Sequence, residues 1–207
     1  MDRLGSPLRQ IRRCPHCGTA HPDIYFIHTP QDPLRRGDGG ARRRWGMYGC
    51  STCGSAILAE GNPSESSVAN PQIIRSIPEA KSAHEDLPES VRRFLDQAFQ
   101  TLQAPDAAAV MAGSAVDAMF KEIGYEAGSV YSRIDEALKD NRITDGMAEW
   151  AHSVRLGSNR PRHADKDAPH LSVAEATQSV EFAEALGNFL FVLTAKIQRG
   201  IEATKPK

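Results

Sequence analysis

Lysine is missing from residues 1–60, which carry nine arginines against five acids. The remainder of the chain reverses the balance, with sixteen basic and twenty-one acidic residues. The formal net charge of −1 therefore hides a basic N-terminal part on an acidic body. A basic part of this kind suits an anionic partner such as nucleic acid, or else a solubilising surface. Long apolar runs are also missing. The longest, around Phe182–Ala195, is broken by Glu184 and Asn188 and is too short and polar to span a bilayer. The opening residues Met1–Gly5 lack the apolar core of a signal peptide. No Walker loop, dinucleotide-type glycine pattern or Gly-x-Ser-x-Gly elbow occurs, which argues against ATP-driven, hydride-transfer and serine-hydrolase chemistry.

Cysteine is scarce, and its placement is informative. The four cysteines form two matching motifs, Cys14-Pro15-His16-Cys17-Gly18 and Cys50-Ser51-Thr52-Cys53-Gly54. Two residues between thiols let both sulfurs meet one ion, and glycine after the second thiol permits the positive φ such a knuckle needs. Cys14, Cys17, Cys50 and Cys53 are thus the expected tetrahedral ligands of a structural Zn²⁺. Two knuckles with no cysteine left over fit a reducing cytoplasm and a metal better than disulfides. His16, His21 and His28 lie nearby and are expected to be spectators.

Around the knuckles, Ile24–His28, 44–49 and 56–59 read as short strands. Residues 1–60 are therefore expected to form a small β zinc ribbon. Its loop, Thr29–Arg44, is punctuated by proline and glycine and reads as mobile. Arg35, Arg36, Arg42, Arg43 and Arg44 on it are candidate phosphate contacts, or a solvated tip. Residues 61–87 read as a linker, with an edge strand possible at Ile73-Ile74.

Residues 88–207 read as a bundle of about five helices, making the fold class mainly α. Pro88 opens a helix striped by Val91, Phe94, Leu95, Ala98, Phe99 and Leu102. Pro105 opens an alanine-rich second helix, and Gly124 closes it. A short third helix holds Ile134, Ala137 and Leu138. Thr144 can cap a fourth, and Ser172-Val173-Ala174-Glu175 is a capping box for a long last helix.

One polar cluster stands out, Arg155-Leu156-Gly157-Ser158-Asn159-Arg160-Pro161-Arg162-His163. Gly157 and Ser158 are expected to release the fourth helix, bringing His163 back toward Arg155. An arginine fixed beside a histidine has a use on RNA. Imidazole can move the 2′-OH proton, and guanidinium can hold the phosphate. The alternative is local structure, with Arg155 capping carbonyls, Asn159 bracing the loop and His163 bonding the backbone. Arg160 and Arg162 are further candidate nucleic-acid contacts. A metal set of His163, Asp165 and His170 lacks helical spacing.

The order of Arg155, Asn159 and His163 on a helix end resembles the HEPN superfamily (higher eukaryotes and prokaryotes nucleotide-binding). More closely, it resembles a bacterial domain-of-unknown-function family within it whose members often follow a zinc ribbon. The resemblance runs from about Leu87 to Ile197. It implies a HEPN-like helical domain of defence or toxin type, acting as a homodimer on RNA without metal. Arg155 would bind phosphate, His163 would transfer the proton and Asn159 would position them, making the protein an endoribonuclease. The competing reading is a non-catalytic nucleic-acid or protein-binding module.

Overall fold

The computed structural model describes residues 2–79, 81–163 and 170–205, the side chains of 161–163 excepted. It divides into two compact units, Met1–Lys81 and Ser82–Lys207.

The first unit is an antiparallel meander of four strands in sequence order. They are β1 (Ile24–His28), β2 (Trp45–Cys50), β3 (Ala56–Gly61) and β4 (Ile73–Ile77). β4 comes from the stretch expected as linker. It pairs with β3 through Leu58–Ile77 and Ala59–Ser76. Alternation sets the inner face. Ile24, Tyr48, Cys50, Ile57 and Ala59 are buried with Leu4, Leu8 and Cys14. The buried Tyr48 hydroxyl accepts a hydrogen bond from the Gly5 N–H at 3.1 Å, so its polar end is satisfied.

The second unit is helical: α1 (Glu89–Gln100), α2 (Pro105–Glu122), α3 (Val130–Lys139), α4 (Asp145–His163), α5 (Val173–Gly187) and α6 (Leu193–Ala203). A π turn, Asn188–Val192, joins α5 to α6 with helical torsions on both sides, so these segments form one long fifth helix. Pro88 sits at the N-cap of α1. Thr144 Oγ1 accepts the Met147 N–H at the start of α4, and the Ser172–Glu175 box closes as its sequence requires. Gly124, at φ 103°, follows α2 in a conformation open to glycine. Among the described residues, no helix is long and apolar enough to cross a membrane.

α2 is the central helix, packed by α1, α4 and α5. Ala108, Ala109, Ala112, Ala115, Val116, Met119 and Phe120 are all buried. Such a helix needs small residues to let its neighbours approach. At Gly113 the approach is so close that an added Cβ would lie 2.6 Å from Ser158 Cβ on α4.

This contact corrects one expectation. Gly157 and Ser158 do not release α4, which continues to His163. Ser158 is buried against α2, and a Cβ at Gly157 would meet the Leu171 side chain at 3.6 Å. Packing on both sides outweighs the weak helix propensity of glycine and serine.

Gly113→Ala should therefore destabilise the helical unit by about 1–3 kcal/mol through overpacking. Urea unfolding followed by helical circular dichroism measures this, and an unchanged midpoint would contradict the close α2–α4 contact.

Candidate functional site

The two knuckles are built alike. Gly18 and Gly54 have φ values of 70° and 72°. Their N–H groups donate to the carbonyls of Cys14 and Cys50 at 2.9 and 2.8 Å. The N–H of Cys14 donates to Thr19 O, and that of Cys50 to Ser55 O. β2 ends and β3 begins at the second knuckle, and the first is tied to it by His16, whose Nε2 lies 2.9 Å from Ala56 O.

The four sulfurs lie within 4.8 Å of one another. Cys14 and Cys53 Sγ are 3.9 Å apart, far beyond the disulfide bond length of about 2.05 Å. A tetrahedral site with metal–sulfur bonds of about 2.3 Å places sulfurs roughly 3.8 Å apart, so the thiols fit a metal such as zinc. Among the described residues this is the one cluster of metal-ligand type, and no histidine belongs to it. The surroundings prepare the sulfurs unequally. Hydrogen bonds from Ser55 bring the Cys53 thiol down to about 6, and those from Thr19 lower Cys17. Burial pushes Cys14 up to about 12, so its thiolate needs a cation beside it.

The arginines of the 29–44 loop do not act alike. Leu34 and Arg43 exchange backbone hydrogen bonds of 2.7 and 3.0 Å, closing the loop on itself. Arg43 and Arg75 hold the buried carboxylate of Glu60 at 2.5 Å each. Arg44 donates to Ser66 O and Gln31 O, and Arg36 pairs with Asp38. Arg35 and Arg42 are exposed and make no ion pair among the described residues. Sequence position alone did not separate these roles, because Glu60 is remote along the chain.

In the helical unit, Arg155 and Asn159 line a cleft of about 360 Å³ walled by α1, α2, α3 and α4. Because α4 stays helical, Arg155, Asn159 and His163 fall at i, i+4 and i+8 on one helix face. The His163 and Arg162 side chains, like Asp165, lie outside the described residues. The Ser158 hydroxyl donates to Arg155 O at 3.0 Å and also lines the cleft. From α2 come Ser114, Asp117 and Lys121, and from α1 Ser90. Asp117 pairs with Lys121 at 2.6 Å and with the buried Arg133. Glu122 accepts from Ser90 Oγ at 2.6 Å. Arg160 reaches Glu175 of the capping box at 3.4 Å, and His170 pairs with Asp106.

Lys121 and Glu122 escaped the sequence reading as cleft residues. They belong to an amphipathic pattern without a motif, and only helix packing brings them to Arg155.

A protein-family model described as Domain of unknown function (DUF4145) matches residues 96–203. The chain belongs to the DUF4145 family. The DUF4145 match runs from within α1 to the end of α6, and so includes Arg155, Asn159 and the α2 wall of the cleft. The four cysteines lie outside the DUF4145 region. No match was found among curated proteins or among solved structures.

The Glu60 site makes a pH prediction. Burial raises the Glu60 pKa, but hydrogen bonds from Arg75 and Arg43 outweigh it and leave the carboxyl below its ordinary 4.5. A depressed carboxyl stabilises the fold above 4.5, and that stability is lost as pH falls through the folded value. Glu60→Gln should cost the first unit about 1–3 kcal/mol at neutral pH and flatten its stability profile below pH 4.5. Tryptophan-fluorescence unfolding from pH 7 to about 3 reads both effects, and parallel wild-type and variant profiles would refute the assignment.

Proposed function

We propose that the protein joins a structural zinc ribbon to a HEPN-like helical domain that acts on RNA as a homodimer. The observation that carries this reading is the single face of α4. It sets Arg155, Asn159 and His163 one turn apart, with Arg155 and Asn159 on the wall of a cleft.

The chemistry follows from the residue types. The Arg155 guanidinium binds a phosphodiester and offsets charge developing on it. The His163 imidazole takes the proton of the 2′-OH, O2′ attacks phosphorus, and the P–O5′ bond breaks. The departing 5′ oxygen takes a proton from water, leaving a 2′,3′-cyclic phosphate and a 5′-hydroxyl. The Asn159 amide, one turn from each, orients them. The reaction so written uses no metal. The cysteine site serves folding, since four thiolates leave a tetrahedral zinc no position for substrate. Arg35 and Arg42, exposed on the basic ribbon, are its best-placed nucleic-acid contacts.

A second reading, a binding module in which this cleft neither holds nor cleaves RNA, is favoured by one feature. Asp117 and Glu122 share the cleft with Arg155, and carboxylates oppose a bound phosphate.

Cleavage of single-stranded and hairpin RNA oligonucleotides by the purified protein separates these readings. His163→Ala and Arg155→Ala should each lower the rate about 100-fold or more, with circular dichroism unchanged. Equal cleavage by the variants, or none by the wild-type dimer, removes the nuclease reading. Elemental analysis should find about one zinc per chain, and Cys17→Ser should lose it together with the thermal transition of the ribbon. Far less than one zinc in the wild type would remove the metal assignment.

A further inference from the structure

The side chains behind Arg155 form a second arrangement that the cleft does not explain. On α3, Tyr131 and Asp135 are four residues apart and share a face. On α4, His152 and Arg155 are three residues apart and also share one. The four side chains alternate between the helices. His152 Nε2 lies 3.0 Å from Asp135 Oδ1. The His152 ring then stacks on Tyr131 with centroids 4.7 Å apart and a tilt of 37°. The Arg155 guanidinium carbon lies 5.4 Å from the Tyr131 ring centre.

Burial is a poor account of Tyr131, which is 51% exposed. It does not line the cleft, yet it touches the arginine that does. The Arg155 Nε is buried and has no hydrogen-bond partner among the described residues. The Tyr131 ring supplies a side-chain contact to this cation, and a cation is attracted to the face of an aromatic ring. α3 is itself held. Its Ser129 capping box fixes the first turn. The buried Arg133 donates to Glu126 O and Gly128 O just before it, and pairs with Asp117 of α2.

We propose that Tyr131, clamped by the His152–Asp135 pair, is a positioning residue that holds the Arg155 guanidinium at the cleft. This rests on the reading of Arg155 as the phosphate-binding group. An arginine left free samples many rotamers and must be ordered when phosphate arrives, whereas a stacked one is ordered beforehand. Phenylalanine at 131 keeps the ring face. Leucine keeps the bulk and loses the face.

Two measurements on the zinc-loaded 207-residue chain test this. In the first, ¹⁵N-labelled protein is followed through the Arg155 Nε–H resonance, assigned by its loss in Arg155→Ala. The wild type and Tyr131→Phe should share a ring-current shift that Tyr131→Leu lacks. A resonance unmoved in Tyr131→Leu overturns the proposal. In the second, binding of a fluorescently labelled single-stranded RNA oligonucleotide is compared. Tyr131→Phe should stay within about twofold of wild type and Tyr131→Leu should weaken about tenfold, roughly 1.4 kcal/mol. Combined with Arg155→Ala, Tyr131→Leu should add nothing further. Losses that add in the double variant, or equal losses in the two Tyr131 variants, overturn it. If the wild type binds no RNA, the functional reading of the cleft fails, and the resonance alone decides whether Tyr131 positions Arg155.

Discussion

The contact between Gly113 and Ser158 governs the helical unit. α2 is surrounded, and a surrounded helix can be approached only where its side chains are small. The missing Cβ at Gly113 lets α4 settle against it with Ser158 buried at the crossing. Once α4 is held there, its backbone remains helical through residues that would otherwise favour a turn. That continuity sets the spacing of Arg155, Asn159 and His163 along the helix, and it makes α2 the opposite wall of the cleft that Arg155 and Asn159 line. A core contact and the candidate site are thus one arrangement.

The sheet unit is held by different physics. Among the described residues its buried core is small, eight residues of which two are cysteines. The four thiols and the Glu60 carboxylate supply fixed points that apolar burial in so small a unit does not. Glu60 also changes the meaning of the arginine-rich loop. Two cations on a buried carboxylate are structural, as its low pKa indicates, and only part of the positive charge counted along the chain faces solvent unpaired. Charge composition overstated the basic surface because it cannot see which arginines turn inward.

Features governed by a few neighbouring residues could be read from the sequence. The Cys-x-x-Cys-Gly knuckles have the positive-φ glycines their geometry requires. The capping box at Ser172 forms, Pro88 and Pro105 stand at helix starts, and Val91, Leu95, Ala98 and Phe99 are buried as their period requires. Where the reading went astray, distant packing had overruled a local signal. Gly157-Ser158 resembled a helix stop and became a crossing point.

The sequence by itself determined the four thiols, the helix starts and stripes, and the register of Arg155, Asn159 and His163 along the chain. These depend on spacing, which is written in the order of residues. Only tertiary structure decided that this register lies on one helix face, that Asp117 and Lys121 stand across from it, and that Tyr131, His152 and Asp135 stack behind Arg155. Those neighbours come from different helices, and their meeting depends on how closely α2, α3 and α4 can pack.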